Sequence, residues 1–420
     1  MRLLHLFKLP ANSRTVALAS LVAFASQVVF ALLMLRLFTP QEVGEFSLLS
    51  QIGFFWMTLA LAQAPLSLLA NAHVPPHAAL RSAWRACLLR GLWLVPVATV
   101  AVRLSELSIR PALLWVLLLA LSQMGWTLAQ SFMLRVGTPW QQAAVRVLPP
   151  VTAASAALWG AWMGWSGPTL VLSAVLGYGL GAMGLLPAWQ KKERDQASDQ
   201  TNEQANTLAD TPPQHHTQSD PRSTRLRFAH TLTDALLATL VVVVWQRLYG
   251  AQDTGWMTAL LRVLGFVPAL VHMAWAQVVL ANGPWTPGTC QPPSQSHTTA
   301  WALALAAIAG VAALSLVCAL ALAWAWLDAR WTGVWAYLLP VACWQAAACA
   351  SAAFSHRPFQ TQSAARYSWA CMALAGVQAG VLVWPLLTHS TLEASEHIAA
   401  FAGVSAVGLL GLSVWMARLR

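Results

Sequence analysis

The chain has 420 residues, of which 58% are hydrophobic and 9% charged, with a formal net charge of +10 and a mean hydropathy of +0.57. So few polar side chains cannot cover a soluble globule of this length, which places the protein in a bilayer. The basic residues form short clusters between apolar runs instead of one polar domain, so the charge reads as membrane topology and argues against nucleic acid as a partner.

A helix needs about 20 apolar residues to cross a hydrocarbon core about 30 Å thick. Twelve runs approach that length: 15–36, 45–70, 86–102, 111–134, 147–164, 168–188, 228–249, 254–281, 299–326, 331–354, 367–388 and 398–417. The expected fold is therefore an all-α polytopic membrane protein. The first run follows Arg2, Lys8 and Arg14, as a signal peptide would, but it exceeds the usual apolar stretch of one and reads as a retained first helix. With the amino terminus inside, the inner segments hold eighteen Lys and Arg and the outer ones five, Arg262 lying within a span. The positive-inside rule then sets both termini in the cytoplasm.

The first span ends at Arg36, and Arg36 to Leu49 reads R-L-F-T-P-Q-E-V-G-E-F-S-L-L. Thr39-Pro40-Gln41-Glu42 has the form of a capping box, with a threonine cap, proline at the first helical position and an acid at the third. Gly44 then allows a neighbouring helix to approach closely. Gln27 on the first span, Gln51, Trp56 and Gln63 on the second, and Gln123, Trp126 and Gln130 on the fourth can line a sugar-binding cavity. They can equally serve as interhelical hydrogen bonds and interfacial anchors. Gly179, Gly181 and Gly184 match a dinucleotide fingerprint, but that motif needs a preceding strand; inside the sixth span it reads as helix packing.

From Gln190 to Arg227 the hydropathy collapses into a polar run with basic ends, Lys191-Lys192-Glu193-Arg194 and Arg222, Arg225, Arg227. It cannot bury enough apolar surface to fold and reads as a cytoplasmic linker. Three units follow: a first lobe over 1–189, the linker over 190–227 and a second lobe over 228–420. His215 and His216 in the linker read as a solvated pair. The segment 282–299, rich in Pro, Gly, Gln and Ser, reads as a flexible loop.

Beyond the seventh span the opening motif recurs: Arg247 to Leu260 reads R-L-Y-G-A-Q-D-T-G-W-M-T-A-L. Gly250 stands where Thr39 caps, Asp253 where Glu42 does, and Gly255 matches Gly44. Arg36 and Arg247 end their spans at the outer interface, where each can pair with an acid of its own motif. Six spans separate the copies, so the halves share one orientation about an axis along the membrane normal, the arrangement that places a substrate path between them. Arg135 and Arg146 after the fourth span are echoed by Arg357 and Arg366 after the tenth.

Ionisable residues at membrane depth are candidates for function by default. Arg262 lies about 12 Å from the outer end of the eighth span and His272 about 27 Å, while Asp234 lies about 22 Å from the outer end of the seventh. Asp234, with His230 one turn below it, is thus nearer in depth to His272 than to Arg262. Arg262, lacking a partner at its level, suits an anion. It reads either as a substrate contact or as half of an ion pair with another helix; Asp234 reads either as an ion site or as a hydrogen-bonded interior acid. The six cysteines have neither disulfide density nor metal-ligand spacing, and no catalytic constellation or cofactor motif is present.

The pattern Arg36-Leu37-x-x-Pro40-x-x-x-Gly44-x-Phe46, its copy after the seventh span and twelve spans split six and six resemble the lipid-linked oligosaccharide flippases. These belong to the multidrug, oligosaccharidyl-lipid and polysaccharide exporter superfamily. The resemblance implies two parallel six-helix lobes with the architecture of a MATE-like exporter. It also implies a bacterial inner-membrane transporter that carries undecaprenyl-diphosphate-linked oligosaccharide outward by rocking its lobes. Arg262, Gln51, Gln27, Trp56, Gln123 and Trp126 would face the substrate. Asp234 and His272 would couple transport to H+ or Na+, and Arg36, Gly44, Arg247 and Gly255 would form the structural gate. Membrane lipids, a polysaccharide polymerase and chain-length proteins would be its partners. A membrane polymerase or ligase, and a drug or cation antiporter of the same superfamily, are the alternatives.

Overall fold

The computed structural model describes residues 11–62, 64–65, 68, 74–165, 168–185, 221–272, 275, 295–361, 363–389 and 391–419. Its α-helices, in chain order, are α1 (Ala11–Leu37), α2 (Pro40–Leu61), α3 (Pro76–Trp93), α4 (Val95–Leu104), α5 (Ile109–Val136), α6 (Pro139–Trp162), α7 (Thr169–Ala182), α8 (Pro221–Val271), α9 (Gln295–Ala323), α10 (Val334–Phe354), α11 (Arg357–Gln360), α12 (Ala364–Thr388) and α13 (Ala394–Arg418). No strand occurs among the described residues. Six of the helices are long and apolar enough to cross a membrane, or seven if the bent pair α3 and α4 is one crossing. The protein is thus a multi-pass, all-α membrane protein. The expected linker lies largely outside the described residues, but 221–227, assigned to it from sequence, are already helical.

The opening motif forms the box expected of it. Glu42 N–H donates to Thr39 Oγ1 at 3.2 Å, and Thr39 N–H donates to Glu42 Oε2 at 2.8 Å, so two amide donors at the start of α2 are satisfied reciprocally. The second copy departs from it. The seventh and eighth expected spans run together as α8, broken at Gly250 with φ 82° and ψ −178°. A left-handed φ at a helix break suits glycine, which has no Cβ to clash. The third expected span also differs: it starts earlier, at Pro76, and bends by 47° between α3 and α4, where Pro96 in the first turn of α4 removes an amide donor and crowds the preceding turn.

The two glycines of the motif meet each other. A Cβ on Gly44 would overlap the Ala251 carbonyl oxygen and stand 2.9 Å from Gly255 N, while a Cβ on Gly255 would overlap the Pro40 carbonyl and stand 3.0 Å from Pro40 Cα. Ala251 occupies in the second copy the place of Pro40 in the first, so each glycine admits the partner copy's first helical carbonyl. Such a reciprocal contact is the signature of a local two-fold relation. Around the crossing, Val43, Leu48 and Ile52 of α2 share one buried core with Met257, Leu260 and Leu264 of α8.

The arginine echo also performs one task twice. Arg135 donates to the Leu68 carbonyl at 2.9 Å and the Val74 carbonyl at 2.6 Å. Arg357 donates to the carbonyls of Ala417 at 2.5 Å and Met416 at 3.4 Å. Each guanidinium thereby satisfies carbonyls of a distant segment, which a hydrocarbon surrounding cannot do.

Candidate functional site

Arg262 sits on the limb of α8 beyond Gly250, half-buried and facing the motif helix. Its guanidinium carbon lies 4.6 Å from the Phe46 ring centroid and its Nη1 lies 4.0 Å from Met34 Sδ. Tyr178 of α7 lies within electrostatic reach of it. Its close contacts among the described residues are thus a thioether and an aromatic face, with no carboxylate. A cation held over a ring gains about 0.5–2 kcal/mol, which does not replace a counter-ion.

Tyr178 links this cation to two more of the expected substrate residues. Its ring lies 5.0 Å from that of Trp126, and its hydroxyl stands against the Gln123 amide. Gln123 is buried, and its Oε1 has no hydrogen-bond partner, a cost of about 1–3 kcal/mol unless something else bonds it. Trp126 donates its indole N–H to the Val145 carbonyl at 2.8 Å, so only its face is free for a ligand. Tyr178, Gln123 and Trp126 therefore form one constellation, with Arg262 within electrostatic reach of its phenol.

The other expected residues lie apart. Trp56 is buried, donates to the Gly91 carbonyl at 2.9 Å, and lines an apolar cavity of about 230 Å³ with Met57, Cys87, Leu92 and Met124. Its N–H is spent on backbone, and nothing in that cavity suits a sugar edge. Gln51 donates to Thr239 Oγ1 at 3.5 Å, bridging α2 to the first limb of α8. Gln27 is exposed on α1. Gln63 lies outside the described residues.

Asp234 and His272 are not brought together. Asp234 Oδ2 lies 3.2 Å from His230 Nε2, with its side chain 60% exposed, and the His230 ring meets that of Tyr367 edge-on at 5.7 Å. His272 is exposed and its Nδ1 lies 3.3 Å from Ser355 Oγ. The expected one-turn placement of His230 beside Asp234 is the contact made.

The gate arginines also find other partners than their own motif acids. Arg36 lies over the Trp326 ring at 5.6 Å. Arg247 reaches Glu106 at 3.8 Å and donates to the Leu104 carbonyl at 3.2 Å, while Asp253 accepts from the Tyr337 hydroxyl at 2.5 Å. The loop before α10 covers the second motif: Trp256 donates to the Arg330 carbonyl at 3.0 Å, and the Arg330 guanidinium beside Asp328 holds that carboxyl below its ordinary range.

Sequence reasoning missed the tyrosines. The chain has four, and each joins a polar group inside the bundle: Tyr178 with Gln123, Tyr249 with His397, Tyr337 with Asp253, and Tyr367 with His230. Their rarity inside apolar spans was the available signal, since a buried phenol needs a partner for its hydroxyl.

Fold and site together define a many-helix integral membrane protein with a half-buried cation, Arg262, beside the crossing of its two motif copies. The chain is similar in fold to a solved multidrug resistance transporter of the MATE family, of the MOP superfamily, in an inward-facing conformation. The TM-score is 0.50, with 11% sequence identity over 97% of this chain and 94% of that one. No protein-family model matches the chain, and no curated protein does.

Proposed function

We propose that the protein is a secondary transporter that flips undecaprenyl-diphosphate-linked oligosaccharide across the bacterial inner membrane for O-antigen or another surface polysaccharide. The observation that carries the reading is Arg262, a deep guanidinium with no carboxylate among its contacts. A diphosphate is the natural complement of such a fork. Gln123 Oε1 and the Trp126 face offer an acceptor and a stacking surface to the first sugars, while the polyprenyl tail stays in the bilayer. Two six-helix lobes related along the membrane normal supply alternating access, and the reciprocal crossing of Gly44 and Gly255 is what supports that plan. Both termini lie in the cytoplasm, and the protein works beside a polymerase and chain-length proteins.

Deletion of the gene tests this directly. Lipid-linked oligosaccharide should accumulate on the cytoplasmic leaflet; accumulation of single units on the outer leaflet would instead indicate a polymerase or ligase. A second reading, a drug antiporter, is favoured by the name of the solved transporter of similar fold. Arg262 argues against a cationic drug, which it would repel.

Coupling to H+ or Na+ is assigned to Asp234, exposed and one turn from His230. Asp234→Asn should remove the dependence of transport on the pH or sodium gradient, as measured in proteoliposomes with each gradient imposed in turn. A retained dependence would locate coupling elsewhere.

A further inference from the structure

His397 lies in the first turns of α13, 1% exposed, with both ring nitrogens engaged. Its Nε2 lies 3.2 Å from the Val381 carbonyl of α12. A carbonyl only accepts, so Nε2 carries a proton in every state of the ring. Its Nδ1 lies 3.0 Å from the Tyr249 hydroxyl, and that same hydroxyl lies 3.3 Å from the Leu392 carbonyl. Tyr249 therefore has one proton and two acceptors for it.

The conflict resolves in two ways. With a neutral imidazole, Nδ1 is an acceptor and Tyr249 donates to it. With an imidazolium, Nδ1–H donates to the Tyr249 oxygen and the Tyr249 proton turns to Leu392. One set of heavy-atom positions serves both. We propose that His397 is a proton-binding site, and that taking up a proton there turns the Tyr249 hydroxyl from His397 to the Leu392 carbonyl beside the Gly250 break.

Burial of the ring disfavours the cation, and its aromatic and acidic neighbours offset part of that cost. The Trp245 ring stacks on the imidazole at 4.8 Å and 25°, an arrangement that attracts positive charge. The titratable and charged groups around it are Tyr249 and Asp253 on α8, Tyr337 on α10, and Glu393 and Glu396 on its own helix, with Arg247 drawn away to Glu106. From α12 the Val381 carbonyl faces it. Glu393 and Glu396 are exposed within a turn of the ring.

The position gives the proton something to act on. Tyr249 is the last residue before Gly250, whose left-handed backbone breaks α8. Asp253, just after the break, is braced by Tyr337, and Trp245 donates to that same phenol at 3.4 Å. Two residues further on, Gly255 crosses Pro40. The protonation state of His397 thus sets the brace on one side of the break at which the motif copies meet. This site is separate from Arg262 and from Asp234, and holds whatever the cargo is.

The test uses the full chain in detergent micelles, labelled with 5-fluorotryptophan, with the Trp245 fluorine resonance assigned through Trp245→Phe. That resonance should titrate as a single proton binds between about pH 4 and 7, since burial of the ring disfavours the cation. In His397→Gln it should stay fixed, because the amide can donate to Val381 and accept from Tyr249 as the neutral ring does. In Tyr249→Phe it should still titrate, with a midpoint lower by about one pH unit, since the charged form loses its acceptor. A Trp245 resonance that ignores pH, or that titrates alike in wild type and His397→Gln, overturns the proposal. Should His397→Gln fail to fold, the Tyr249→Phe midpoint decides: a lowered value supports the site and an unchanged one overturns it. Neither result depends on a transport assay, so loss of the flippase reading leaves this one standing.

Discussion

Gly255→Ala is expected to lower the melting temperature of the purified protein clearly, although it adds a single methyl group. The added Cβ would overlap the Pro40 carbonyl, which is backbone at a proline and the first residue of α2. A flexible side chain can rotate away from such a clash; a helical carbonyl moves only with its helix. Overpacking of this kind costs about 1–3 kcal/mol, against the roughly 1 kcal/mol that alanine otherwise gains over glycine in a helix. Gly376→Ala is the control, because a Cβ there has nothing within 4 Å, and it should be neutral or slightly stabilising. Gly44→Ala should resemble Gly255→Ala, and the double variant should cost less than the two singles added, since one separation of α2 from α8 relieves both clashes. Equal melting of Gly255→Ala and Gly376→Ala would show that the crossing is loose.

The reciprocity of that crossing was partly legible in the chain. The repeated Arg-Leu, glutamine, acid and glycine pattern marks two equivalent helix starts, and a small residue announces a close approach. What the pattern does not carry is the partner. Gly44 packs against the other copy of its motif, and which segment meets which has no spelling in one copy. The box at Thr39 was readable for the opposite reason: every contact in it spans three residues. The same logic makes Thr138-Pro139-Trp140-Gln141 a readable start, and it does cap α6 in the same way.

Residues whose meaning depends on tertiary neighbours were less legible. Trp56 and Trp126 look alike from sequence, yet one lines an apolar cavity at the α3–α4 bend and the other stacks on Tyr178. Asp234 at nominal membrane depth is in fact largely exposed, because depth counted along a helix says nothing about which way the helix faces. His397, which hydropathy alone places at a span end, is buried to 1%, held by contacts from α8 and α12 that lie many residues away.

On the proposed function, Arg262→Ala should reduce flipping by at least about 30-fold, the effect of losing a charge contact worth about 2–5 kcal/mol, while leaving the melting temperature unchanged or raised. The two halves of that expectation have one cause. A structural arginine would leave an orphaned carboxylate when removed and would destabilise the fold. Arg262 contacts Met34 and Phe46 instead, neither of which is left charged when it goes, and removing a desolvated cation relieves a cost that the protein bears without cargo. Stability held below its maximum at one deep residue is the usual trace of function. Arg262→Lys should restore transport in part, since an ammonium keeps the charge but loses the planar fork and the stacking on Phe46. Flipping measured in vesicles, with melting measured on the same preparations, separates the outcomes. Unchanged flipping in the alanine variant would remove Arg262 from the substrate path, and lost flipping together with a lowered melting temperature would make it a structural residue. Only loss of transport with stability intact fits a cation that waits for an anionic cargo.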